Sequence, residues 1–566
     1  MYMELLKEWC DGLLRYQITG MGDARFDGGI LCPSCKLIHG RCSDAVYPLL
    51  FLADATGEAK YVEAARRLFA WQENMLCDDG SVYNDANSTW NGITVFAAVA
   101  LCESLTHFGH LLTQAERERW AERMRGMGDW LLENINERTK TNINYMGTNA
   151  AALSLLGNFF GDEAYLARAR QLSAFPMSRF TDDGLLWGEG KPIDGVTKRG
   201  CRPIDIGYNV EESVPSLIKH ALAQKDGEML ERLREISRKQ LDFMMPDGGW
   251  DNSFGSRNNK WTYWGSRTSD GCAGGYGLFP EDSLFAEAAY RNLSLMKRCT
   301  RDGLLHGGPD YIAAGEPPCV HHTFTHANGL AAALHAGLQE PENRAALPCD
   351  APKDVAKYYP ELDTWKIAVG GMRATVTGYD AELAAGHASG GTMTLLWHNS
   401  AGVVLASSMV DYRLVEPLNM QLPLKKERHR PLTVRLEKWI DGVRYAQCYD
   451  TGAAIRVHSE EGRVVVCVEA SLVSLEQERP ARETHCSLRY EIREDAVTIS
   501  GIVRGGDGSE VFVLPVVAPG ARVSVEPACA PPEDIFFLSG GFAAREYRIS
   551  ADKEGRFSAV IALYSR

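Results

Sequence analysis

The sequence shows no membrane-spanning run, no basic stripe and no visible export signal. No stretch of its 566 residues approaches the ~18 apolar residues that cross a bilayer, so no membrane partner is expected. Lysine and arginine total 60 against 74 acidic residues, so the net charge is −14. Because no basic stripe stands out either, nucleic acid is not expected as a binding partner. The start, MYMELLKEWCDGLLRYQ, predicts an amphipathic helix without a basic n-region and therefore a cytoplasmic protein. A chain already trimmed of a leader would begin in the same way.

A regular cysteine framework is also lacking. The 15 cysteines are odd in number and scattered through helix-like segments, which favours reduced, buried thiols over disulfides. The segment CPSCKLIHGRCSDAVYP carries Cys32, Cys35, His39 and Cys42. Its C-x2-C start with one further Cys and His is compatible with a small zinc site, but the tight spacing that follows matches no common zinc module. Buried thiols are the favoured interpretation, and no metal and no cofactor is expected.

Helical periodicity fills residues 1 to about 340. Because a chain of this length is too long for one core, two or more domains are expected. Apolar residues at three- and four-residue spacing predict helices over 44–56, 59–76, 92–108, 114–136, 147–160, 162–174, 210–223, 226–245, 281–298 and 325–337.

A weak repeat underlies these helices. Several of them run into an Asp-Gly pair, and the pairs begin at Asp79, Asp183, Asp247 and Asp302. The intervals of 104, 64 and 55 residues are close to multiples of one helical hairpin. Paired helices at this period predict a closed ring whose Asp-Gly turns lie at one end and whose following loops meet at one cavity. An open solenoid, the alternative, would need more uniform repeats.

The pattern changes near residue 346. Ten short strand-like segments follow, from TMTLLWH to FSAVIALYS, with no helices between them. Such spacing predicts an antiparallel β-sandwich. The expected organisation is therefore a multidomain α+β protein, with a catalytic (α/α) toroid over residues 1–345 and a β-sandwich over residues 346–566.

The most unusual stretch is WDNSFGSRNNKWTYWGSRTSD, which has neither helical nor strand periodicity. Its tryptophans and arginines are Trp250, Trp261, Trp264, Arg257 and Arg267. Flat aromatic faces beside polar groups suit a sugar ring, and a guanidinium is a two-pronged donor to a carboxylate. The stretch therefore predicts the floor of a site for an acidic sugar. A loop folded over a local hydrophobic cluster is the alternative.

Two segments of the helical region resemble motifs of the heparinase II/III-like polysaccharide lyases. NINYMGTNAAALSLLGN resembles the helix whose asparagine neutralises the substrate carboxylate in that family, which implies this role for Asn144 or Asn149. DIGYNVEESVPSL resembles the segment of the family's catalytic tyrosine, here Tyr208. The layout of a helical toroid followed by a β domain is similar to that of these lyases and of toroidal bacterial β-glucuronidases.

A third resemblance lies in the β region. GHASGGTMTLLWH resembles the His-Ala-Asp strand of the same lyases, with His387 at the histidine position. Ser389 stands where the family has aspartate. His387 is accordingly expected to border the substrate site.

Carboxylates are the candidates for general acid and base chemistry. Glu211 and Glu212 begin a predicted inner helix, and because adjacent helical residues point apart, at most one of them faces the cavity. Burial beside aromatic rings raises the pKa of a carboxyl group, which suits a general acid, whereas stabilisation of the helix N-terminus is the alternative role. Asp251 and Asp270 bracket the aromatic stretch and are the candidates for the second carboxylate that a glycosidase needs.

Histidines cluster in CVHHTFTHANGL, where His321, His322 and His326 fall within six residues. One is expected to shuttle a proton and another to hold a sugar hydroxyl. A metal site and purely structural histidines are the alternatives. Four residues that precede the first repeat helix or follow the first Asp-Gly turn are expected as substrate contacts: His39, Arg41, Asp44 and Trp90.

These features together indicate a carbohydrate-active enzyme that acts on oligosaccharides or glycosides containing a uronic acid. Hydrolysis by an exo-acting, β-glucuronidase-like enzyme is favoured because of the acids near Glu211 and because of Ser389. Elimination by a lyase is the alternative, with Asn149 and an arginine neutralising the carboxylate and with Tyr208 and a histidine as base and acid. A non-catalytic glycan-binding protein is the third candidate. A homodimer is left open.

Overall fold

The structure, a computed structural model, describes residues 1–85, 88–266, 271–350, 355–415 and 429–563. Its first part is helical, and Asn209–Ser213 form a π-helical turn between the eighth and ninth helices. The helices are α1 (Tyr2–Tyr16), α2 (Val46–Thr56), α3 (Ala59–Trp71), α4 (Thr94–Phe108), α5 (Gln114–Asn134), α6 (Ile143–Phe160), α7 (Glu163–Met177), α8 (Ile206–Tyr208), α9 (Val214–Gln224), α10 (Gly227–Gln240), α11 (Ala273–Tyr276), α12 (Ser283–Cys299), α13 (Pro309–Ala314) and α14 (Val320–His335).

The helices form a closed double ring. In the inner ring α2, α4, α6, α9, α11 and α14 contact one another in this order, and α14 contacts α2 again. Each outer helix packs on an inner one: α3 on α2, α5 on α4, α7 on α6, α10 on α9, α12 on α11 and α1 on α14. The predicted (α/α) toroid is therefore confirmed. Inner helix α2 (VYPLLFLADAT) is apolar nearly all round because it is covered on both sides, whereas outer α3 (AKYVEAARRLFAW) keeps one polar face.

The four Asp-Gly turns occupy equivalent places in the ring. Each makes a small hairpin after an outer helix, closed by the pairs Leu76–Val82, Phe180–Leu186, Met244–Trp250 and Arg301–Leu304. The last hairpin closes the ring, because Gly303, at φ +72°, lies directly on Gly12 of α1. A Cβ on Gly12 would lie 2.0 Å from the Gly303 carbonyl oxygen, so a side chain there would push the two ends of the ring apart.

The second part consists of three antiparallel sheets, which confirms the predicted class. The strands are β1 (Thr300–Arg301) and β2 (Leu304–Leu305) in the toroid, then β3 (Val355–Tyr359), β4 (Thr364–Val369), β5 (Met372–Thr377), β6 (Thr392–His398), β7 (Gly402–Ala406), β8 (Arg435–Ile440), β9 (Val443–Ala446), β10 (Ala454–Glu460), β11 (Arg463–Ser471), β12 (His485–Arg493), β13 (Ala496–Arg504), β14 (Val511–Val516), β15 (Arg522–Glu526), β16 (Glu533–Phe537), β17 (Phe542–Ser550) and β18 (Arg556–Ala562). The strand orders of the three sheets are β3-β4-β5-β6-β7, β10-β11-β12-β13-β18-β15 and β16-β17-β14-β8-β9. The predicted boundary near residue 345 falls between α14 and β3.

The β region has one core shared by its sheets. Strand β12 alternates buried and less buried residues, with Cys486, Leu488, Tyr490 and Ile492 turned inward. This period of two is the pattern of a sheet with one covered face. The inward face packs with apolar residues of β4 to β6 and of β14, such as Phe512. None of the described helices combines the length and hydrophobicity that crossing a membrane requires.

The aromatic stretch joins the two domains. Trp261 and Tyr263 pack with Leu395 and Trp397 of β6 and with Phe542 of β17. The Trp261 carbonyl accepts a hydrogen bond from the Gly540 N–H at 2.9 Å. A loop that the sequence suggested as a sugar platform is therefore the hydrophobic link between the toroid and the sheets.

Candidate active site

A polar cleft of about 390 Å³ lies at the end of the toroid that faces the β region. Its charged and hydrogen-bonding lining consists of Arg41, Asn84, Asn144, Tyr145, Tyr208, Glu212, Arg257, Lys260 and His321. Through Arg41, Phe96 and Glu212 it adjoins a larger cavity of about 930 Å³ inside the inner ring. Three cations against one carboxylate make the described part of the cleft lining positive, although the whole chain is acidic.

Tyr208 lies among the cations of the cleft. Its Oη accepts hydrogen bonds from Lys260 Nζ at 2.8 Å and from Arg257 Nη2 at 3.2 Å. The Arg257 guanidinium also lies 4.5 Å from the Tyr208 ring centre. Two cations that donate to one phenol oxygen stabilise negative charge on it.

Buried Asp205 holds this arrangement together. It caps the helix of Tyr208 by accepting from the Tyr208 N–H at 3.0 Å. The same carboxyl group accepts from the Arg257 N–H at 2.9 Å and from the Asn252 side chain at 3.1 Å. Burial raises the pKa of Asp205, and these three donors oppose the rise. One carboxyl group therefore sets the position of the tyrosine relative to the loop that carries both cations.

Glu189 is the ion-pair partner of Arg257. Its Oε1 accepts from Arg257 Nη1, and the side chain is fully buried. Burial raises the pKa of Glu189 to about 8, with Glu212 and Asp205 adding to the rise and Arg257 opposing it. The pair fixes the Arg257 guanidinium where its other nitrogen donates to Tyr208 Oη.

Glu212 lies between an amide and a guanidinium. Its Oε2 accepts from Asn144 Nδ2 at 2.7 Å, and its Oε1 is 3.9 Å from Arg41 Nη1. Arg41 is held by Asp44 at 2.9 Å and lies 3.8 Å over the Phe96 ring. Burial raises the pKa of Asp44 to about 6. Asn144 and Arg41 thus already bind one carboxylate, which is the chemistry that an acidic sugar requires.

His321 lies in the first turn of α14 and lines the cleft. Burial, followed by the charges of Arg41 and of neighbouring histidines, lowers the pKa of His321 well below its usual value. Among the described residues its Nε2 has no hydrogen-bond partner. The imidazole is therefore neutral at neutral pH and can accept a proton or a hydrogen bond.

Trp90 and Tyr145 form an aromatic pair beside the cleft. Both are half-buried, their rings meet edge to face at 5.3 Å, and Trp90 Nε1 donates to Tyr145 Oη at 3.2 Å. Tyr145 lines the cleft itself. Of the predicted tryptophans, Trp90 has the placement that suits contact with a sugar.

Several predicted residues lie elsewhere. Trp250 and Trp261 are 0% exposed, so the expectation that these rings form a sugar floor is corrected: the hydrophobic core covers them. Trp264 is half-buried, packs on Phe542 and lies outside the cleft lining. Asp251 is also fully buried, and its carboxylate accepts from Lys366 of β4 and Thr375 of β5. Asp251 therefore links the toroid to strands β4 and β5 and does not serve as a base beside Glu212.

Further predicted residues serve other parts of the toroid. Asn149 is fully buried and donates to the carbonyls of Leu131 and Ile135 at 3.1 and 2.7 Å, so it closes the end of α5. Glu211 lines the larger cavity, accepts from the Gly271 N–H at 2.7 Å and lies 3.4 Å from His326 Nε2. Burial lowers the pKa of His326 to about 4.

The remaining predicted positions are His322, His39, Arg267 and Asp270. His322 is buried on α14, and its carbonyl accepts from His326 Nδ1. His39 is buried among cysteines rather than in the cleft lining. Arg267 and Asp270 lie outside the described residues.

Lys260, Glu189 and Asp205 are site residues that the sequence analysis missed. The local signal for Glu189 was weak, because WGEG after the second Asp-Gly turn shares only its tryptophan with WDNS after the third. Lys260 lies in the aromatic stretch, where only arginines were considered as carboxylate ligands. The loops after the first three Asp-Gly turns supply Asn84, Glu189, Arg257 and Lys260, as expected from the convergence of those loops.

His387 makes the fold sensitive to acid. Burial, with a smaller effect of Arg257, lowers the pKa of His387 from 6.5 to about 3. Between these values the unfolded chain binds a proton that the folded chain excludes, so stability is lost as pH falls from 6.5 towards 3. In His387→Gln the free energy of unfolding should decline less steeply, by up to about 1.4 kcal/mol per pH unit. Thermal or urea unfolding across this range measures the slope, and an unchanged slope in His387→Gln would contradict the assignment.

Comparisons with known proteins agree over both domains. Family models for the ulvan lyase N-terminal and C-terminal domains match residues 6–350 and 356–527. The broad-specificity ulvan lyase of Formosa agariphila is 39% identical over 538 residues, which cover 91% of this chain and 82% of the relative.

Solved structures add likeness of fold. The chondroitin AC lyase of Streptomyces coelicolor A3, in complex with chondroitin sulphate, has a TM-score of 0.51 at 12% identity, covering 100% of this chain and 80% of that one. A sugar epimerase from a ruminal bacterium has a TM-score of 0.43 at 14% identity, covering 60% and 100%. The family models and the ulvan lyase relative support a polysaccharide lyase and not the β-glucuronidase that the sequence analysis favoured. Because models of both domains and a relative spanning most of the chain agree, the chain belongs to the ulvan lyase family.

Proposed function

We propose that this protein is a polysaccharide lyase that cleaves uronic-acid-containing glycans of the ulvan type by β-elimination in the cleft at Tyr208. The observation that carries the proposal is the phenol oxygen of Tyr208, which accepts hydrogen bonds from both Lys260 and Arg257. Membership of the ulvan lyase family and the ulvan lyase relative support the substrate class.

Elimination at a uronate needs its carboxylate neutralised, because only then is the C5 proton acidic enough to leave. Arg41 and Asn144 supply this function, since both already lie around the carboxylate of Glu212. In the enzyme–substrate complex the substrate carboxylate accepts hydrogen bonds from Arg41 and Asn144. These two side chains then stabilise the negative charge that develops on the carboxylate as the C5 proton is removed. Arg257 keeps its place beside Tyr208 rather than binding the carboxylate.

Tyr208 takes the C5 proton as the phenolate that Lys260 and Arg257 stabilise. The electrons of the C5–H bond form the C4–C5 double bond, and the C4–O4 bond breaks as they do so. The departing O4 then takes the proton from the Tyr208 hydroxyl. The phenolate is restored, one tyrosine serves as base and acid in turn, and no co-reactant is consumed.

His321 provides a second base on substrates of the other configuration. In glucuronate the C5 proton and O4 leave from the same side of the ring, which one tyrosine can serve. In iduronate they leave from opposite sides, so a neutral imidazole is needed as base while Tyr208 protonates O4. Burial keeps the imidazole of His321 neutral, and its Nε2 has no partner within the described residues.

Hydrolysis, favoured by the sequence analysis, is less well supported by this cleft. A glycosidase needs two carboxyl groups flanking the bond. Glu212 is the one carboxylate among the described residues that line the cleft, and Asp251 binds Lys366 and Thr375 instead. The cations around Tyr208 suit stabilisation of a phenolate and an enolate-like carboxylate.

The product distinguishes the two reactions. Digestion of a uronate polysaccharide such as ulvan should generate the ultraviolet absorbance of a conjugated 4,5-double bond, with a matching rise in reducing ends. Mass spectrometry should show fragments lighter by one water than hydrolysis products. Release of saturated uronic acid without that absorbance would support hydrolysis instead. Binding without turnover would support a non-catalytic glycan-binding protein.

The two predicted asparagines should separate into catalytic and structural roles. Asn144→Ala should lower kcat/KM by about 10²-fold, as expected when one donor to a developing negative charge is removed, and should also lower the unfolding free energy by about 1–3 kcal/mol because buried Glu212 loses a donor. Asn149→Ala should lower the unfolding free energy by about 1–3 kcal/mol, because the α5 carbonyls lose their donor, with kcat nearly unchanged. Steady-state kinetics and urea unfolding of both variants check this. The reverse pattern would assign the carboxylate contact to Asn149.

A further inference from the structure

Three cysteines and one histidine meet at a buried point beside the inner ring. Cys32, Cys35, His39 and Cys319 each offer one ligand atom, and these atoms all lie within 4.8 Å of one another. Cys319 is separated by 287 residues from Cys32, so the fold rather than the local sequence assembles the group. Cys32, His39 and Cys319 are buried and Cys35 is half-buried.

The sulfur spacing is that of a metal site rather than of a disulfide. Cys319 Sγ lies 3.6 Å from Cys32 Sγ and 3.9 Å from Cys35 Sγ. Zinc–sulfur bonds of about 2.3 Å at tetrahedral angles place two sulfurs about 3.8 Å apart. A disulfide would bring them to about 2.05 Å. The two measured distances bracket the tetrahedral value.

We propose that Cys32, Cys35, His39 and Cys319 bind one Zn²⁺ ion in a structural Cys3His site. Three thiolates and an imidazole form a ligand set that selects zinc among the common divalent ions of proteins. The Cys35 N–H lies 3.4 Å from Cys32 Sγ, as a backbone donor to a metal-bound thiolate does. The thiols lose their protons on binding, so affinity rises with pH.

The fourth ligand differs from the one suggested by local spacing. Cys42 lies only three residues beyond His39 in sequence, but it is not a member of the group that the fold brings together. Burial raises the pKa of Cys42 to about 12, as expected for an inert core thiol. The third cysteine comes instead from Cys319 at the start of α14.

The site would fix two sides of the cleft. Cys319 is the residue before α14, whose first turn carries His321, and His39 lies two residues before Arg41. The rings of His39 and His321 are 5.7 Å apart. A metal bound here ties the segment of residues 30–39 to the inner helix and holds Arg41 and His321 at their separation. Four protein ligands leave no open coordination position, so the metal itself takes no part in the reaction.

Metal analysis of the full-length protein tests the proposal without any activity assay. Protein purified without chelator should contain about one zinc per chain by elemental mass spectrometry, as a closed four-ligand site requires. Cys319→Ser should lose most of this zinc, whereas Cys42→Ser, which removes an equally buried cysteine nearby, should retain it. Replacement of the zinc by Co²⁺ should give thiolate-to-cobalt charge-transfer absorption and the visible bands of a tetrahedral ion in the parent and in Cys42→Ser, but not in Cys319→Ser.

Three outcomes would overturn the proposal. One is full zinc occupancy in a folded Cys319→Ser variant. Another is the absence of both zinc and the cobalt spectrum in a folded parent protein whose thiols are reduced. The third is loss of zinc in Cys42→Ser with retention in Cys319→Ser. If Cys319→Ser fails to fold, His39→Asn serves instead and should likewise lose the zinc. Because these measurements report metal alone, they are independent of whether the cleft is a lyase site.

Discussion

Replacement of Tyr208 by phenylalanine should lower kcat for elimination by about 10³–10⁴-fold, the upper range for loss of general acid–base catalysis. The variant loses the oxygen that accepts from Lys260 and Arg257 but keeps the ring that lies 4.5 Å from the Arg257 guanidinium. The fold and substrate affinity should therefore change little. Initial rates of double-bond formation, combined with KM and a melting curve, measure the effect.

A matched tyrosine controls for loss of a buried hydroxyl group. Tyr276 is equally buried and donates from Oη to the Ser237 carbonyl at 2.9 Å, outside the cleft. Tyr276→Phe should lower stability by about 0.5–1.5 kcal/mol and leave kcat almost unchanged. Substantial activity in Tyr208→Phe would show that another group, with His321 the first candidate, removes the proton on every substrate.

Replacement of Lys260 by methionine should reduce the rate near neutral pH by on the order of 10²-fold. Methionine preserves most of the buried stem but removes the ammonium 2.8 Å from Tyr208 Oη. Without that charge the phenol gives up its proton only at higher pH, so the rising limb of the pH–rate profile should move to higher pH. At that higher pH the variant should recover much of the lost rate. This partial recovery separates an electrostatic role from loss of structure.

A half-buried lysine outside the cleft supplies the control for this test. Lys366 pairs with Asp251 at the junction of the domains, remote from the cleft lining. Lys366→Met should lower the melting temperature without moving the pH–rate profile. If both variants lose rate equally at every pH, the charge of Lys260 does not act through Tyr208, and the elimination mechanism would need another source of base.

Much of the fold could be predicted because it depends on local patterns. Three- and four-residue spacing of apolar residues marked the helices, and alternation marked strands such as β12. The Asp-Gly pairs marked equivalent hairpins because a turn after Asp needs the left-handed conformation that glycine adopts, as at Gly303. The resemblance to the heparinase II/III-like lyases implied Tyr208 and Asn144, whereas the segment before the first repeat helix and the aromatic stretch supplied Arg41 and Arg257. These four residues line one cleft.

Local patterns failed where burial decided the role. The tryptophans of the aromatic stretch are chemically suited to sugar stacking, but Trp261 packs with strands β6 and β17, and Trp250 packs on Tyr276 within the toroid. Asn144 and Asn149 lie on one helix, α6, and only the segments that pack against them distinguish their roles. Glu212 accepts a hydrogen bond from Asn144, and the end of α5 accepts one from Asn149. Asp251 was predicted as a base, yet Lys366 and Thr375, more than a hundred residues later, occupy its carboxylate.

The sequence by itself therefore determined the helical ring, the antiparallel sheets and the residue types from which the cleft is built. The tertiary structure alone decided which of those residues share a cavity, that Lys260 lies against Tyr208, and that Cys319 joins Cys32, Cys35 and His39. The reason is physical: periodicity reports how a segment contacts its own neighbours along the chain. Burial, charge pairing and metal geometry depend instead on segments hundreds of residues apart, which approach only when the ring closes and the sheets pack on it.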